Sequence, residues 1–270
     1  LVFQTPFKPD EPIRPYTVAK AMSSGWRWEI PTQDRVGHGY VFASEYLSED
    51  EALKEVSSDV AIGDAEPRLI KFKAHQSKNS WKFNCVSVGL ASGFIEPLEA
   101  TSISATINQT RLLCSYLPTY TPRSVAPQNG YLKIFDSMYE NLLSMVAMHY
   151  VSDRTDTPFW VNQKRLERPD LLRSLTAIMK HRGPEEHDIP STGFELFKAA
   201  HFWHVGQGQG LISQKGCEAN LRDYNAYKNA KKTVERSRNR SLAFSPHRVV
   251  LDYAKDPASW RPPPTNEGQS

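Results

Sequence analysis

Glu96 and Glu99 stand three residues apart in the stretch GFIEPLEATSI, Gly93 to Ile103, beside a proline and a run of small hydroxyl residues. A carboxylate held in a pocket can take up a proton or stabilise a cation as charge develops. Unused backbone N–H groups at a helix start attract small anions. Which chemistry is open depends on where the helix begins. With Pro97 in its first turn, Glu99 simply complements the positive end of the helix. With Thr101 as N-cap, Glu99 lies in the preceding loop, and the N–H groups near Thr101 and Ser102 can meet an anion. The local pattern leaves both open.

A second candidate is GWRWEIP, Gly25 to Pro31. In a strand, Trp26 and Trp28 share a face, because side chains alternate. Two indoles then make either ordinary core or one wall of a pocket for a flat aromatic. Other motifs are weaker. VGQGQG, ending at Gly210, lacks the glycine spacing and the preceding strand of a dinucleotide loop. His201 and His204 form an i, i+3 pair, but two ligands do not make a metal site, and the histidines as a set lack metal spacing beside a carboxylate. The basic run KNAKKTVERSRNR reads as a solvated helix face.

The 270 residues suffice for one large domain or two small ones, and 39% apolar with 23% charged residues fits a packed core. A net charge of +3 does not point to nucleic acid or an acidic membrane. Cys85, Cys114 and Cys217 are too few and too scattered for a disulfide framework, which suggests a reducing, cytoplasmic setting. No apolar run reaches spanning length, and no signal peptide is evident. The chain opens on LVFQTPF, strand-like and without Met, as though it began inside a domain.

Four short strands are expected early, in LVFQTPF, PYTVAKAM, GWRWEIP and HGYVFAS, as an antiparallel meander. SEDEALKEVSSDV follows as a helix with Ser48 as N-cap, and RLIKFKAH and WKFNCVSVGL return to strands. After Ile103 helices dominate: ATINQTRLLCSYL; a long one carrying Leu132, Phe135, Met138, Leu142, Met145 and Val146 at helical spacing; PDLLRSLTAIMKHR; GFELFKAAHFWHV; EANLRDYNAYKNAKKTVERSRNR; and PHRVVLDYAK. The tail RPPPTNEGQS reads as loose.

Three stretches in order carry a family resemblance. GWRWEIP resembles the Trp-x-Trp-x-Ile-Pro motif of the flavin-dependent tryptophan halogenases, NCVSVGLASGFIEPLEATSI is similar to their strand–turn–helix segment, and HYVSDRTDTPFW, His149 to Trp160, resembles a third family stretch. The resemblance implies an oxidoreductase that takes FAD, reduced by a separate flavin reductase, with O2 and a halide (chloride or bromide). A flavin hydroperoxide oxidises the halide to hypohalous acid, which halogenates an electron-rich, indole-like aromatic near a catalytic lysine. Glu99 matches the catalytic glutamate. Thr101 and Ser102 match the halide-binding pair, and Leu90 and Ile103 match positions lining the flavin. Trp26, Trp28, Phe202 and Trp203 match the substrate side.

Some positions depart from the pattern. Ala100 stands where many members have Ser, and Ser102 where many have Gly. Ser191, Thr192 and Lys198 fall where free-tryptophan halogenases carry paired tyrosines and an acid, so the clamp for an amino acid is not evident. Neither the Gly-x-Gly-x-x-Gly loop nor the lysine has a match, and Lys8 has no motif around it. The resulting expectation is a mixed α/β chain forming the C-terminal part of a two-part flavoprotein fold. Residues 1–117 would complete the antiparallel-sheet-containing FAD domain and 118–270 a helical substrate subdomain, with a missing N-terminal segment as partner. The chain alone is expected not to bind FAD tightly or turn over. Expected partners are an aromatic small molecule and the reductase, with a homo-oligomer possible and no metal, nucleic acid or membrane. A flavin-dependent aromatic monooxygenase on the same scaffold and a non-catalytic aromatic-binding module are the alternative readings.

Overall fold

The computed structural model describes residues 1–7, 12–219 and 224–256. The expected loose tail and Lys8 lie outside them. The chain forms two compact units: Leu1–Ile70 with Asp156–Phe159 and Asn225–Ser270, and Lys71–Thr155 with Trp160–Tyr224.

In the first unit, β1 (Val2–Pro6), β2 (Val18–Met22), β3 (Gly25–Pro31) and β4 (Arg35–Phe42) form an antiparallel sheet ordered β1–β4–β3–β2. The last three make the expected meander, and β1 joins it along β4. Helix α1 (Glu49–Asp59) is held at its start by a reciprocal capping box between Ser48 and Glu51. Tyr40 Oη and Ser23 N both donate to the Glu55 carboxylate, at 2.8 and 2.9 Å, so α1 lies on the Tyr40 face of the sheet. Leu1, Phe3, Met22, Tyr40, Ala52 and Val56 make the core between them. Arg27 and Lys20 on that face pair with Asp59 at the end of α1. The segment Asp156–Phe159 is anchored in this unit: Thr157 Oγ1 donates to Ser23 O at 2.6 Å, and Phe159 meets Tyr46 edge-on.

The second unit begins with short ladders, β5 (His75–Gln76) with β8 (Gly93–Phe94) and β6 (Trp81–Lys82) with β7 (Cys85–Val86). The two long strands expected here do not form. Residues 68–75 alternate in the right way but are largely exposed, and strand propensity counts only where a partner edge completes the ladder. Next come α2 (Ser102–Tyr116), α3 (Ala126–Met148), α4 (Pro158–Gln163), α5 (Asp170–Met179), α6 (Ala199–Gly208) and α7 (Gln214–Ala219). In the first unit, α8 (Tyr224–Ser241) and α9 (His247–Lys255) close the described chain.

The stripe read on α3 is real: Phe135, Met138, Leu142, Met145 and Val146 are buried, and Leu132 packs at the margin. Phe135, Met138, Leu142 and Met145 join Leu172, Leu175, Met179 and Phe202 in the core of the second unit. Gly206 lets α6 approach closely, because a Cβ there would meet Met179 Sδ at 2.8 Å and Met148 Cε at 3.0 Å. The helix expected over GFELFKAAHFWHV starts only at Ala199. Upstream, the Phe197 N–H goes to Asn141 Oδ1, and Glu195 accepts from the N–H groups of Thr192 and Gly193. Those bonds fold the segment as a turn and withdraw its backbone from a helical ladder.

Candidate functional site

The turn between Ile95 and Ser102 resolves the ambiguity in the sequence. Helix α2 starts at Ser102 with Thr101 as its N-cap, so Glu99 stands ahead of the helix. The Thr101 side chain makes no capping bond, which leaves the first-turn N–H groups to other acceptors. Glu99 and Ala100 both have positive φ, 68° and 49°. Left-handed backbone is rare outside glycine and costs of order 1–3 kcal/mol per residue, and such strain concentrates where a side chain must be aimed. Buried Leu98 and Thr101 pin the turn on either side, and the Ala100 N–H closes it on Pro97 O at 2.9 Å.

Glu99 is one-third exposed, and its Oε1 lies 2.9 Å from Nε2 of His149, at the C-terminal end of α3. The His149 bond, together with the charges of His149 and His201, holds the Glu99 carboxyl below its ordinary range, although burial opposes this. Burial pulls His149 down, but the bonds to Glu99 and to the Met145 carbonyl, with the charges of Glu99 and Glu96, outweigh it and leave the imidazole raised. Beside this pair, Tyr150 Oη donates to both oxygens of Glu96, at 2.9 and 3.0 Å. The Tyr150 ring neighbours Trp160, over which the Arg154 guanidinium sits at 4.6 Å.

The adjoining turn Gly89–Ala91 is set by one fully buried amide. Gln109 on α2 accepts from Gly89 N and Ser92 Oγ, both at 2.9 Å, and donates to Ser87 O at 3.0 Å and Tyr131 Oη at 2.9 Å. This brings together Leu90, Glu96, Thr101 and Ser102 around a narrow cleft at the start of α2. Leu90 and Ile103 are 62% and 76% exposed, apolar side chains turned to solvent.

Trp26 and Trp28 lie on the sheet of the first unit. Trp26 is buried with its Nε1 unpaired among the described residues, and Trp28 lies half-buried across Gly39 and Gly37. Phe202 is wholly buried in the core of the second unit. Its neighbour Trp203 packs on Gly183 and lines an open cleft with His187 and His204. Among the described residues no group of three or more His, Cys, Asp or Glu could hold a metal ion, and no helix is long and apolar enough to cross a membrane. His149 falls in the third motif but has no role assignable from residue type alone; its place at the end of a long helix is the signal the sequence offers.

Comparison with known proteins identifies the family. The tryptophan halogenase family model matches residues 1–221, and the chain belongs to that family. It is 34% identical over 182 residues to the tryptophan 6-halogenase SttH of Streptomyces toxytricini, covering 66% of this chain and 34% of that protein. It is 35% identical over 176 residues to the tryptophan 7-halogenase RebH of Lentzea aerocolonigenes, covering 62% and 33%. Among solved structures, BrvH, a flavin-dependent halogenase from Brevundimonas sp. BAL3, superposes with a TM-score of 0.78 at 29% identity over 95% of this chain and 52% of that one.

These matches correct the expectation of a C-terminal portion only. The family match starts at residue 1, and the solved relatives cover from 82% to 95% of the chain, so the family fold runs through both units. Short motifs mark points along the chain, whereas the fold extends through the residues between and beyond them. The chain spans about half the length of the solved relatives and about a third of the curated ones.

Proposed function

We propose that this chain serves in a flavin-dependent halogenase that places chlorine or bromine on an electron-rich, indole-like carbon, with Glu99 as the carboxylate acting on the ring. The observation that carries this reading is the strained turn that sets Glu99, one-third exposed and bonded to His149, beside the open start of α2. The residues present suit the implied cofactors. Exposed Leu90 and Ile103 offer apolar contact to a flavin edge, and the N–H groups at Thr101 and Ser102 suit a halide. FAD, reduced by a separate reductase, would supply the oxidising equivalents from O2. Glu99 stabilises the cationic ring and accepts its proton. In the second unit Trp203 offers aromatic surface to the substrate, with Phe202 beside it in the core, and Trp26 and Trp28 share one face of β3 in the first unit. The absence of a tyrosine pair at Ser191 and Thr192 favours an indole or larger aromatic over free tryptophan.

The test is the full-length protein that carries this chain, supplied with FAD, a flavin reductase, bromide or chloride and a panel of indoles and phenols, with products read by mass spectrometry. Halogenated product is expected, and Glu99→Gln should lower turnover at least a hundredfold with flavin binding unchanged, as about 10²–10⁴ is typical for a lost acid–base group. Hydroxylated product without halide dependence would identify a monooxygenase instead.

A further inference from the structure

His149 Nδ1 lies 2.9 Å from the Met145 carbonyl oxygen. A carbonyl can only accept, so Nδ1 carries a proton. In a neutral imidazole the other nitrogen, Nε2, is then bare. Yet Nε2 lies 2.9 Å from Glu99 Oε1, and two acceptors do not meet at that distance without a proton between them. The pair must therefore hold one further proton, as imidazolium and carboxylate or as imidazole and carboxylic acid. The surroundings select the first form. The Glu96 carboxylate faces His149 and favours its charge, and His201 on the Glu99 side favours the anion. The position at the C-terminal end of α3 also favours a cationic ring.

From this geometry we infer that His149 is a positioning residue for Glu99: it keeps the carboxylate ionised and occupies Oε1, leaving Oε2 as the atom that acts on substrate. The inference rests on the role proposed for Glu99. Among the described residues Oε2 has no hydrogen-bond partner. In the reaction, a ring π pair attacks the halogen of hypohalous acid: the carbon–halogen bond forms as the halogen–oxygen bond breaks, hydroxide leaves, and the ring becomes a cation. The C–H bond then breaks, its electron pair returns to the ring, and the proton goes to Oε2. Water carries the proton away from the one-third-exposed carboxyl and restores the ion pair. Without an adjacent cation, burial alone would push this carboxyl upward and favour its neutral form. The strained backbone at Glu99 and Ala100 is consistent with this role, because it sets the direction from which Glu99 meets the fixed imidazole.

The test has two arms. Side-chain ¹H–¹⁵N correlation spectra of the chain, followed with pH, should show His149 protonated on Nδ1 throughout and titrating above the ordinary imidazole range. In Glu99→Gln its midpoint should fall by about one pH unit or more, the usual effect of losing an adjacent opposite charge. This arm needs no turnover. In the second arm, the acid limb of kcat against pH should move upward by about one unit in His149→Phe, with KM little changed, and by less in His149→Gln, which can still donate. An unprotonated Nδ1, or a His149 midpoint indifferent to Glu99→Gln, overturns the inference, as does an unmoved acid limb in a folded His149→Phe or His149→Gln. Full turnover in Glu99→Gln removes the proposed role of Glu99 and this inference with it. Loss of turnover in Glu99→Gln with an unresponsive His149 removes the inference alone.

Discussion

Replacing Gln109 by Leu keeps much of the side-chain volume but removes four hydrogen bonds at once. Two partners, Ser87 O and Ser92 Oγ, have a way out: the carbonyl is only partly enclosed, and the hydroxyl keeps its bond to Gly89 O at 2.7 Å. The other two, the Tyr131 hydroxyl and the Gly89 N–H, lose their partner in a part-buried or fully buried place. An unsatisfied buried group costs about 1–3 kcal/mol, so two such groups give an expected loss of about 2–6 kcal/mol for the second unit. Near-ultraviolet circular dichroism reports this unit well, because Trp81 packs edge-on against Tyr131 with ring centroids 5.3 Å apart. In urea the transition should move to lower concentration with unchanged slope. The Gly89–Ala91 turn that presents Leu90 should also loosen, so flavin binding should weaken by more than stability alone explains. A loss below about 1 kcal/mol would refute the claim that this amide organises the site.

Two other outcomes follow from contacts already described. The Glu99–His149 pair should stabilise the fold most between pH 4.5 and 6.5, the ordinary values of the two groups. The raised His149 contributes fully below 6.5 and loses its share as pH rises through its folded pKa; the depressed Glu99 contributes fully above 4.5 and loses its share as pH falls through its own. The melting-temperature gap between wild type and His149→Gln, measured across pH, should peak in that window, and a flat gap would count against the pairing. Gly39→Ala would place a methyl carbon 2.1–2.3 Å from three atoms of the Trp28 indole. The ring must move, at a cost of about 1–3 kcal/mol, visible as a lower melting temperature and a red-shifted tryptophan emission; unchanged emission would show that the indole does not lie over β4.

Much of the local structure was legible because its causes are local. Ser48 and Glu51 stand at capping-box spacing, and α1 begins there. The apolar spacing on α3 repeats with the helical period, and that face is the core. The strands expected at 68–75 and 81–90 failed because a ladder needs an edge to pair with, and no residue type reports whether one is present. The late start of α6 has a similar origin: Asn141, 56 residues away, captures the backbone of Phe197.

By itself the sequence determined the family, through three motifs in order, and the identity of the candidate carboxylate. The helical periods and caps, set by near neighbours, were equally its own. Only the tertiary structure decided that Glu99 stands outside α2 on left-handed backbone and meets His149, 50 residues further on. It also decided that Phe202 is interior while Trp203 reaches a cleft. The physical reason is the same in each case. A hydrogen bond or a buried face depends on where packed helices end and point, and that is settled by the whole core rather than by any one stretch of chain.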